Sequence, residues 1–260
     1  MATFNGTSGV DQLVGTFGAD TFYMTPDVGP SPDQIVCGFG DDQIYYDNQD
    51  FSSGFPSENP MAIIDGGFGY DTLYFRQSFQ FGASDMRLCQ FQSIEAIDLQ
   101  YTTYAESAPA ALFSSSAFGN GAISWNATII GNASVASYFA IAAVAQTGEV
   151  IDASGFQIAQ QVQIALDGGD GADSLIGNAG AVANFMWGRS GDDIYILGTA
   201  NDLISEDSGG GADTVRAGFS YTLGFDPSTG GDTAVETLET TNAASTAAIN
   251  LTGNGFAQTL

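Results

Sequence analysis

A nine-residue pattern, G-G-x-G-x-D-x-U-x with U a large apolar residue, recurs along this chain and constrains its fold more than any other feature. Two stretches keep every position, Gly66–Tyr74 and Gly168–Ile176. Three others, Gly6–Val14, Gly15–Tyr23 and Gly188–Ile196, lack only the second glycine. A repeat of this kind predicts units that each stack on their neighbours and bury a shared core.

The residue types in the pattern suit a loop that holds calcium. Calcium takes about six to eight oxygen ligands, from carboxylates and backbone carbonyls. Glycines let the loop turn its carbonyls inward, at φ values where a Cβ is costly. The aspartate at position six adds a charged oxygen, and the apolar residue at position eight enters a short strand and points into the core. The alternative is a set of glycine–aspartate turns that hold no metal.

The spacing of the aspartates predicts a column of carboxylates near the C-terminus. Asp173, Asp193 and Asp213 follow one another at intervals of twenty residues, and Asp232 follows nineteen later. In a solenoid, a fixed period stacks equivalent residues on successive coils. We therefore expect these aspartates to line one edge, with calcium between neighbouring loops.

A second column is predicted near the N-terminus. Asp20, Asp42 and Asp71 are separated by 22 and 29 residues. The longer interval implies an insertion, which we place at Asn48–Pro60. Asp11 precedes Asp20 by nine residues, the tandem spacing of a two-sided roll.

These motifs resemble the calcium-binding repeats of the RTX (repeats-in-toxin) family. The resemblance implies an all-β fold, a right-handed parallel β-solenoid or β-roll with calcium-binding Gly/Asp loops. Cys37 stands where the Asp42 loop should begin with glycine, and most loops stand alone, which favours an irregular solenoid with insertions. The resemblance covers residues 5–23, 37–46, 65–75 and 166–216. The metal-site residues that it and the spacing imply are Asp11, Asp20, Asp42, Asp71, Asp173, Asp193, Asp213, Asp232, Gly6, Gly15, Gly18, Gly40, Gly66, Gly69, Gly168, Gly171, Gly188, Gly191 and Gly211.

The charge of the chain agrees with a calcium-dependent fold. Thirty acidic residues face four basic ones and no histidine, which gives a net charge of −26. Such repulsion opposes a compact state. Bound calcium offsets it, so we expect an expanded chain without calcium and a folded one with it. Because millimolar calcium fills even weak sites, we expect an extracellular or cell-surface location.

The sequence disfavours nucleic acid as a partner, a transmembrane helix and an ordinary N-terminal secretion signal. A chain with four basic residues cannot form the basic patch that nucleic acid requires. No apolar run reaches the roughly 20 residues of a transmembrane helix. Met1–Gly6 lacks the basic and apolar regions of an ordinary secretion signal. The resemblance implies one-step (type I) export through a C-terminal signal. The alternative is an excised fragment, since the sequence before Leu260 looks like a repeat cut in its middle.

We expect one continuous solenoid in three segments. Residues 1–80 and 166–260 would carry the calcium-loop coils, and residues 81–165 would add coils with insertions and no calcium motif. Strands are predicted at Thr21–Met24, Gln43–Tyr46, Ala62–Ile64, Thr72–Phe75, Ile94–Leu99, Ala127–Ile130, Val150–Asp152 and Val162–Leu166. Helical structure is predicted at 76–94 (a short helix or an irregular cap), and as one turn within each of Ala105–Phe118 and Val135–Val144.

The side chains offer little for catalysis. Without histidine or lysine, no histidine-activated nucleophile and no Schiff base can form. The carboxylate pairs Glu95/Asp98 and Glu149/Asp152 lie on predicted strands, where residues three apart face opposite sides. We interpret them as solvent-facing carboxylates and predict no enzyme. A carboxylate-only glycosidase or a tyrosine-based lyase remains open.

Tyr23, Tyr45 and Tyr74 occupy position nine, which should point outward. The row could bind sugar or another subunit, or form a cross-strand ladder that stiffens the sheet. Cys37 and Cys89 could form a disulfide, or both could be small buried apolar side chains. Two cysteines without histidine cannot hold zinc.

We expect a calcium-binding extracellular structural protein that folds on binding calcium and self-assembles as a surface-layer, filament or adhesin subunit. Its partner would be a second copy of itself, with cell-surface polysaccharide as another candidate. The alternative is an accessory or catalytic module of a secreted carbohydrate-active enzyme.

Overall fold

The computed structural model describes residues 1–7, 9–24, 33–48, 62–77, 84–100, 110–206, 208–226, 230–231, 233–241 and 248–260. The chain divides into two compact units. Unit 1 comprises residues 1–139 and 156–162, and unit 2 comprises residues 140–155 and 163–260.

The protein is all-β, and its sheets are parallel. In the described ranges no α-helix forms, and one 3-10 turn lies at Ser115–Ala117. The strands are β1 (Thr3–Asn5), β2 (Gln12–Val14), β3 (Thr21–Met24), β4 (Asp33–Val36), β5 (Gln43–Asn48), β6 (Ala62–Asp65), β7 (Thr72–Gln77), β8 (Ser84–Asp85), β9 (Gln90–Gln92), β10 (Ile94–Asp98), β11 (Ala110–Ser114), β12 (Ile123–Ile130), β13 (Ser137–Ala142), β14 (Val150–Asp152), β15 (Gln157–Ala159), β16 (Val162–Asp167), β17 (Ser174–Ile176), β18 (Ala183–Trp187), β19 (Ile194–Ile196), β20 (Leu203–Ser205), β21 (Thr214–Ala217), β22 (Tyr221–Thr222), β23 (Thr237–Thr240) and β24 (Leu251–Thr252).

In unit 1, strands β1 to β7 alternate between two sheets. One sheet has the order β1-β3-β5-β7-β10-β12-β15, and the other has the order β2-β4-β6-β9. β8 pairs with β11 in the same unit. The pairings are parallel and align equivalent positions of the repeat, as in Phe22 with Ile44 and Ile44 with Leu73. Equivalent loops therefore lie side by side.

Unit 2 repeats this arrangement. One sheet has the order β14-β17-β19-β21-β23, and β16, β18 and β20 pair in sequence on another. β22 pairs with β24. The register joins Leu175 to Tyr195 and Tyr195 to Val215, which are all residues at position eight.

Position eight builds the core, as the sequence predicts. Phe22, Ile44 and Leu73 in unit 1 are fully buried, and so are Leu175 and Val215 in unit 2. Full burial of such a side chain contributes about 1.5–3 kcal/mol. Because the strands that follow the loops are mostly three to six residues long, these few apolar side chains fix their register.

The predicted strands all form, within a residue or a few of their expected bounds. One helical prediction is confirmed, because a single 3-10 turn, Ser115–Ala117, lies within Ala105–Phe118. In the described residues of the other two stretches no helix forms. Val135–Val144 contains β13, whose alternating burial is that of a half-buried strand. Ala110–Ser114 forms β11 before the 3-10 turn, while residues 101–109 lie outside the described part. β8 and β9 occur where a helix or irregular cap was expected. The boundaries proposed at 80 and 165 stay a prediction.

The two cysteines do not pair. Cys37 and Cys89 form no disulfide, and both are buried. Burial raises the pKa of the Cys89 thiol to about 12, with the charge of Asp85 acting in the same direction. They behave as small apolar residues of the unit 1 core, which is one of the two alternatives that the sequence left open.

Candidate metal centre

A column of carboxylates runs along one edge of unit 1. Each carboxylate after the first accepts a hydrogen bond from the backbone N–H of the preceding member. Asp20 N–H donates to Asp42 Oδ1 at 2.6 Å, and Asp42 N–H donates to Asp71 Oδ1 at 2.8 Å. Asp71 N–H donates to Glu95 Oε2 at 2.8 Å. We call Asp20, Asp42, Asp71 and Glu95 the N-terminal column.

Unit 2 contains an equivalent column. Glu149 N–H donates to Asp173 Oδ1 at 2.6 Å, and Asp173 N–H donates to Asp193 Oδ1 at 2.7 Å. Asp193 N–H donates to Asp213 Oδ1 at 2.9 Å, and Asp213 N–H donates to Glu236 Oε2 at 2.7 Å. We call these five residues the C-terminal column.

The second oxygen of most column aspartates is buried without a hydrogen-bond partner. This holds for the Oδ2 atoms of Asp42, Asp71, Asp173, Asp193 and Asp213, whose side chains are at most 2 % exposed. A buried carboxylate without a compensating partner is expensive, and it either takes up a proton or meets a cation. The columns therefore provide rows of buried carboxylate oxygens whose negative charge no neighbouring positive charge compensates.

Burial changes the acidity of these groups. It raises the pKa of Asp71 to about 7, assisted by the charges of Asp42 and Glu95, while the hydrogen bond from Asp42 N–H opposes it. Burial likewise raises the pKa of Asp173 to about 6 and that of Asp213 to about 6. Asp20 differs, because hydrogen bonds from Ala2 and Thr16 outweigh its burial and lower its pKa. Unsatisfied oxygens and raised pKa values thus occur together in Asp71, Asp173 and Asp213.

Asp202 is a buried aspartate whose two carboxylate oxygens both accept hydrogen bonds from the protein. Its Oδ1 accepts from Asn184 N–H, Asn184 Nδ2 and Thr199 Oγ1 at 2.7–2.9 Å. Its Oδ2 accepts from Gly198 N–H and Thr199 N–H at 2.8 and 3.0 Å. Asp202 needs no cation, which sets it apart from the column aspartates of the same unit.

Several of the predicted glycines stand where one loop touches the next. A Cβ on Gly69 would lie 1.9 Å from Gly40 O, and one on Gly191 would lie 2.0 Å from Gly171 O. A Cβ on Gly211 would meet Gly191 O at 1.8 Å. At position one, a Cβ on Gly15 would lie 1.9 Å from Cys37 O and one on Gly66 would lie 2.1 Å from Ser93 O, whereas on Gly168 and Gly188 it would meet side-chain oxygens of their own repeats. Close stacking of the loops is therefore a second reason for the glycines, beside the turning of carbonyls.

Gly191→Ala is expected to destabilise the folded protein by about 1–3 kcal/mol or more, because the methyl group clashes with Gly171 O and the residue has φ +135°. Gly18→Ala is the matched control. Gly18 also holds position four, but it has open space around its missing Cβ and no positive φ. Thermal unfolding followed by circular dichroism in calcium measures both. Equal melting temperatures for the two variants would contradict this account of position four.

The other predicted site residues lie as follows. Asp11 is in neither column; it precedes β2, in the sheet β2-β4-β6-β9, where its N–H donates to Asp33 Oδ1 at 2.9 Å and its Oδ2 accepts from Thr7 N–H. Gly6 N–H donates to Tyr23 O. Gly40 and Gly171 have positive φ, at +114° each. Asp232 lies outside the described residues.

The columns contain three glutamates that the sequence analysis did not assign to them. Glu95, Glu149 and Glu236 hold position six, two residues before the buried Ile97, Ile151 and Leu238. The signal was the shared pattern E-x-U-[D/E], an acidic residue two places before the core residue. Glu95 and Glu149, considered above as carboxylates for catalysis, both belong to the columns, whereas Asp98 and Asp152 accept hydrogen bonds from Gln100 and Ser154.

One group of three carboxylates comes closer together than the rest. Asp193, Glu206 and Asp213 are all buried, and their ligand oxygens lie within 4.8 Å of one another. The three residues could hold a metal ion. Glu206 was not predicted, because it follows β20 and belongs to no nonapeptide.

Two aromatic rows line unit 1. Tyr23, Tyr45 and Tyr74 stack at 5.1 and 4.6 Å between ring centroids and are half-buried, as a stiffening ladder would be. A second row, Phe17, Phe39 and Phe68, stacks at 5.3 and 4.9 Å at position three of the loops. Phe17 is 88 % exposed and Phe68 is 70 % exposed. We call this second row the phenylalanine row.

Comparison with protein-family models, curated proteins and solved structures finds no match. The described ranges also contain no helix with the length and apolar character to cross a membrane. The carboxylate columns are therefore the basis for proposing a function.

Proposed function

We propose that this protein is a calcium-dependent structural protein with an RTX-like, right-handed parallel β-solenoid fold, and that calcium binds along its carboxylate columns. The observation that carries the proposal is the row of buried, unpartnered oxygens on Asp42, Asp71, Asp173, Asp193 and Asp213. Right-handedness is the usual hand of a crossover between parallel strands.

The chemistry of the columns favours calcium over other metals. Their side chains offer oxygen only, which suits hard cations and not zinc or copper. Neighbouring strands are about 4.8 Å apart, and two carboxylates about 5 Å apart repel by about 3 kcal/mol at an effective dielectric constant of about 20. A divalent cation between them converts that repulsion into attraction. Magnesium suits the columns less well, because it demands a tighter octahedron and keeps its waters.

The charge of the chain leads to a proposed extracellular or cell-surface location. With net charge −26, the chain should stay expanded where calcium is scarce and fold where calcium is millimolar. An unfolded chain is suited to export, and folding outside the cell would follow from the calcium concentration alone.

We also propose that the folded protein associates with copies of itself, through the phenylalanine row. Position three carries Phe17, Phe39 and Phe68 in unit 1 but Asp170 and Ser190 in unit 2, so the loop does not need an aromatic side chain there. Three stacked and exposed rings form the kind of apolar patch that marks an interaction surface. The strand edges of the sheets offer further pairing.

Light scattering on a sizing column, with far-UV circular dichroism, tests both parts of the proposal. Calcium added to the calcium-free protein should raise the β-sheet signal and the particle mass together. A folded monomer in calcium would overturn the assembly part alone, and an unchanged dichroism spectrum would overturn the calcium part.

A triple variant, Phe17→Ser, Phe39→Ser and Phe68→Ser, should lower the particle mass while the calcium-induced dichroism change persists. Phe225→Ser is its control, because Phe225 is an exposed phenylalanine that belongs to neither row. A triple variant that assembles as the unmodified protein does would show that the row is not the contact surface.

A further inference from the structure

Glu206 brings a third carboxylate to one step of the C-terminal column. It follows β20 and is 3 % exposed, while Asp193 and Asp213 precede β19 and β21 and are 0 % and 1 % exposed. The ligand oxygens of the three lie within 4.8 Å of one another. Among the described residues, it is the one group of three potential metal ligands that comes this close.

Two buried atoms point to a ligand in this group. The Oδ2 atoms of Asp193 and Asp213 have no hydrogen-bond partner and no exposed surface to reach water. A Cβ on Gly188 would lie 2.1 Å from the Tyr195 hydroxyl oxygen, 2.3 Å from Asp193 Oδ2 and 2.3 Å from Glu206 Oε1. These three oxygens therefore crowd together beside Gly188, where only glycine fits.

A hydrogen bond from the core holds Glu206 in place. The hydroxyl group of Tyr195, a buried residue at position eight, donates to Glu206 Oε1. A positioned ligand loses less conformational freedom on binding than a mobile one, so this contact favours tight binding.

Three carboxylates here lack a compensating positive charge from the chain. Lysine and histidine are absent, and the arginines of unit 2 pair elsewhere, Arg189 with Asp167 and Arg216 with Glu239. The size of the group discriminates between cations. Calcium, at about 2.3–2.6 Å from each ligand, can touch oxygens up to about 5 Å apart, whereas magnesium at about 2.0–2.1 Å spans only about 4 Å.

We propose that Asp193, Glu206 and Asp213 form the tightest calcium site of the C-terminal column and that it fills first. The inference rests on the proposed function and extends it with an order of loading. Affinity in oxygen-based calcium sites rises with the number of charged ligands and with rigidity. This step has three carboxylates, one of which, Glu206, is held in position by a hydrogen bond. The neighbouring Asp173–Asp193 step has only two carboxylates. Calcium at this step would order the loops before β19 and β21 before the rest of the column loads.

Glu206→Gln tests the proposal, because it keeps the size of the side chain and the oxygen that accepts from Tyr195 while removing one charge. Calcium titration calorimetry should show the tightest class of sites weakened by about tenfold or more, since even indirect ligand contacts are worth about 10–100-fold. The midpoint of calcium-induced folding should move to higher calcium. Glu239→Gln is the control: it makes the same change at an exposed glutamate paired with Arg216, and should alter neither quantity.

The outcomes separate this inference from the proposed function. If the unmodified protein binds calcium and Glu206→Gln retains the same tightest affinity, the inference is overturned and the proposed function stands. If the unmodified protein binds no calcium, both fail.

A second variant covers the case in which Glu206→Gln does not fold. Terbium, a calcium substitute whose emission is excited through a nearby tyrosine, is added to the unmodified protein and to Tyr195→Phe. The first equivalent of terbium should give most of its emission through Tyr195, and the variant should lose it. Undiminished emission from the first equivalent in Tyr195→Phe would place the tightest site elsewhere and overturn the inference.

Discussion

Replacing Asp173 with asparagine is expected to move the stability of the protein in opposite directions with and without calcium. Asp173 is buried, and its Oδ2 meets no donor. Without calcium near pH 8, its charge is unfavourable, as the raised pKa of about 6 indicates. Asparagine removes the charge and can still accept from Glu149 N–H through Oδ1. We expect the calcium-free protein to gain about 1–3 kcal/mol of folding free energy.

With calcium, the same substitution should destabilise the protein. Asparagine offers calcium an uncharged oxygen in place of a carboxylate, and fewer charged ligands mean weaker binding. Because bound calcium stabilises only the folded state, each tenfold loss of affinity lowers the folding free energy by about 1.4 kcal/mol when calcium is in excess. Urea unfolding followed by circular dichroism gives the value in calcium. In chelator, where the chain is expected to be expanded, circular dichroism at increasing concentrations of a stabilising osmolyte gives the other value.

Asp202→Asn is the control for the opposite effects that Asp173→Asn is expected to have with and without calcium. All of its donors come from the protein, so the amide Nδ2 of asparagine would face the N–H groups of Gly198 and Thr199 instead of accepting from them. Loss of those acceptors should cost about 1–3 kcal/mol in both conditions. A destabilisation of Asp173→Asn that is the same with and without calcium would mean that Asp173 acts as Asp202 does, and that its column holds no calcium.

The repeat made much of the fold predictable, because the period is written in the chain itself. A residue at position eight predicts a strand, and the spacing of the position-six residues Asp20, Asp42 and Asp71 predicts their stacking. Asp11 holds the same position but joins neither column. The false helix at Val135–Val144 has a different origin. Its alanines favour helix, but Ser137, Phe139 and Ile141 alternate inward, and the sheet decides between the two periods.

The least predictable part of the candidate site is Glu206. No nonapeptide contains it, and its place beside Asp193 and Asp213 depends on how the strands before it pair. The sequence does contain a signal for Glu95, Glu149 and Glu236. Each stands two residues before a buried apolar residue, which is the spacing of the column aspartates. The phenylalanine row could not be predicted from the sequence, because only the parallel register shows that its rings stack.

Acidification is expected to stabilise the calcium-free protein and to destabilise the calcium-bound one. The folded-state pKa values of about 7 for Asp71 and about 6 for Asp173 and Asp213 lie above the ordinary value of 3.8. The calcium-free fold therefore binds protons more tightly than the unfolded chain does. Its stability is fully present below the ordinary value and is lost as the pH rises through about 6 to 7. Lowering the pH from about 8 to about 5 should therefore raise the folded fraction of the calcium-free chain.

In calcium the slope should reverse, because protons and calcium compete for the same carboxylates and acid weakens calcium binding. Thermal unfolding between about pH 5 and about pH 8 checks the slope in calcium, and the β-sheet circular dichroism signal over the same range checks the slope without it. Relief of the general repulsion among exposed acidic groups would also favour the calcium-free fold in acid, but salt separates the two causes. In about 1 M salt the Debye length is only about 3 Å, so exposed charges are screened while buried ones are not. A calcium-free slope that vanishes in salt would assign the effect to the surface, and one that persists would assign it to the columns.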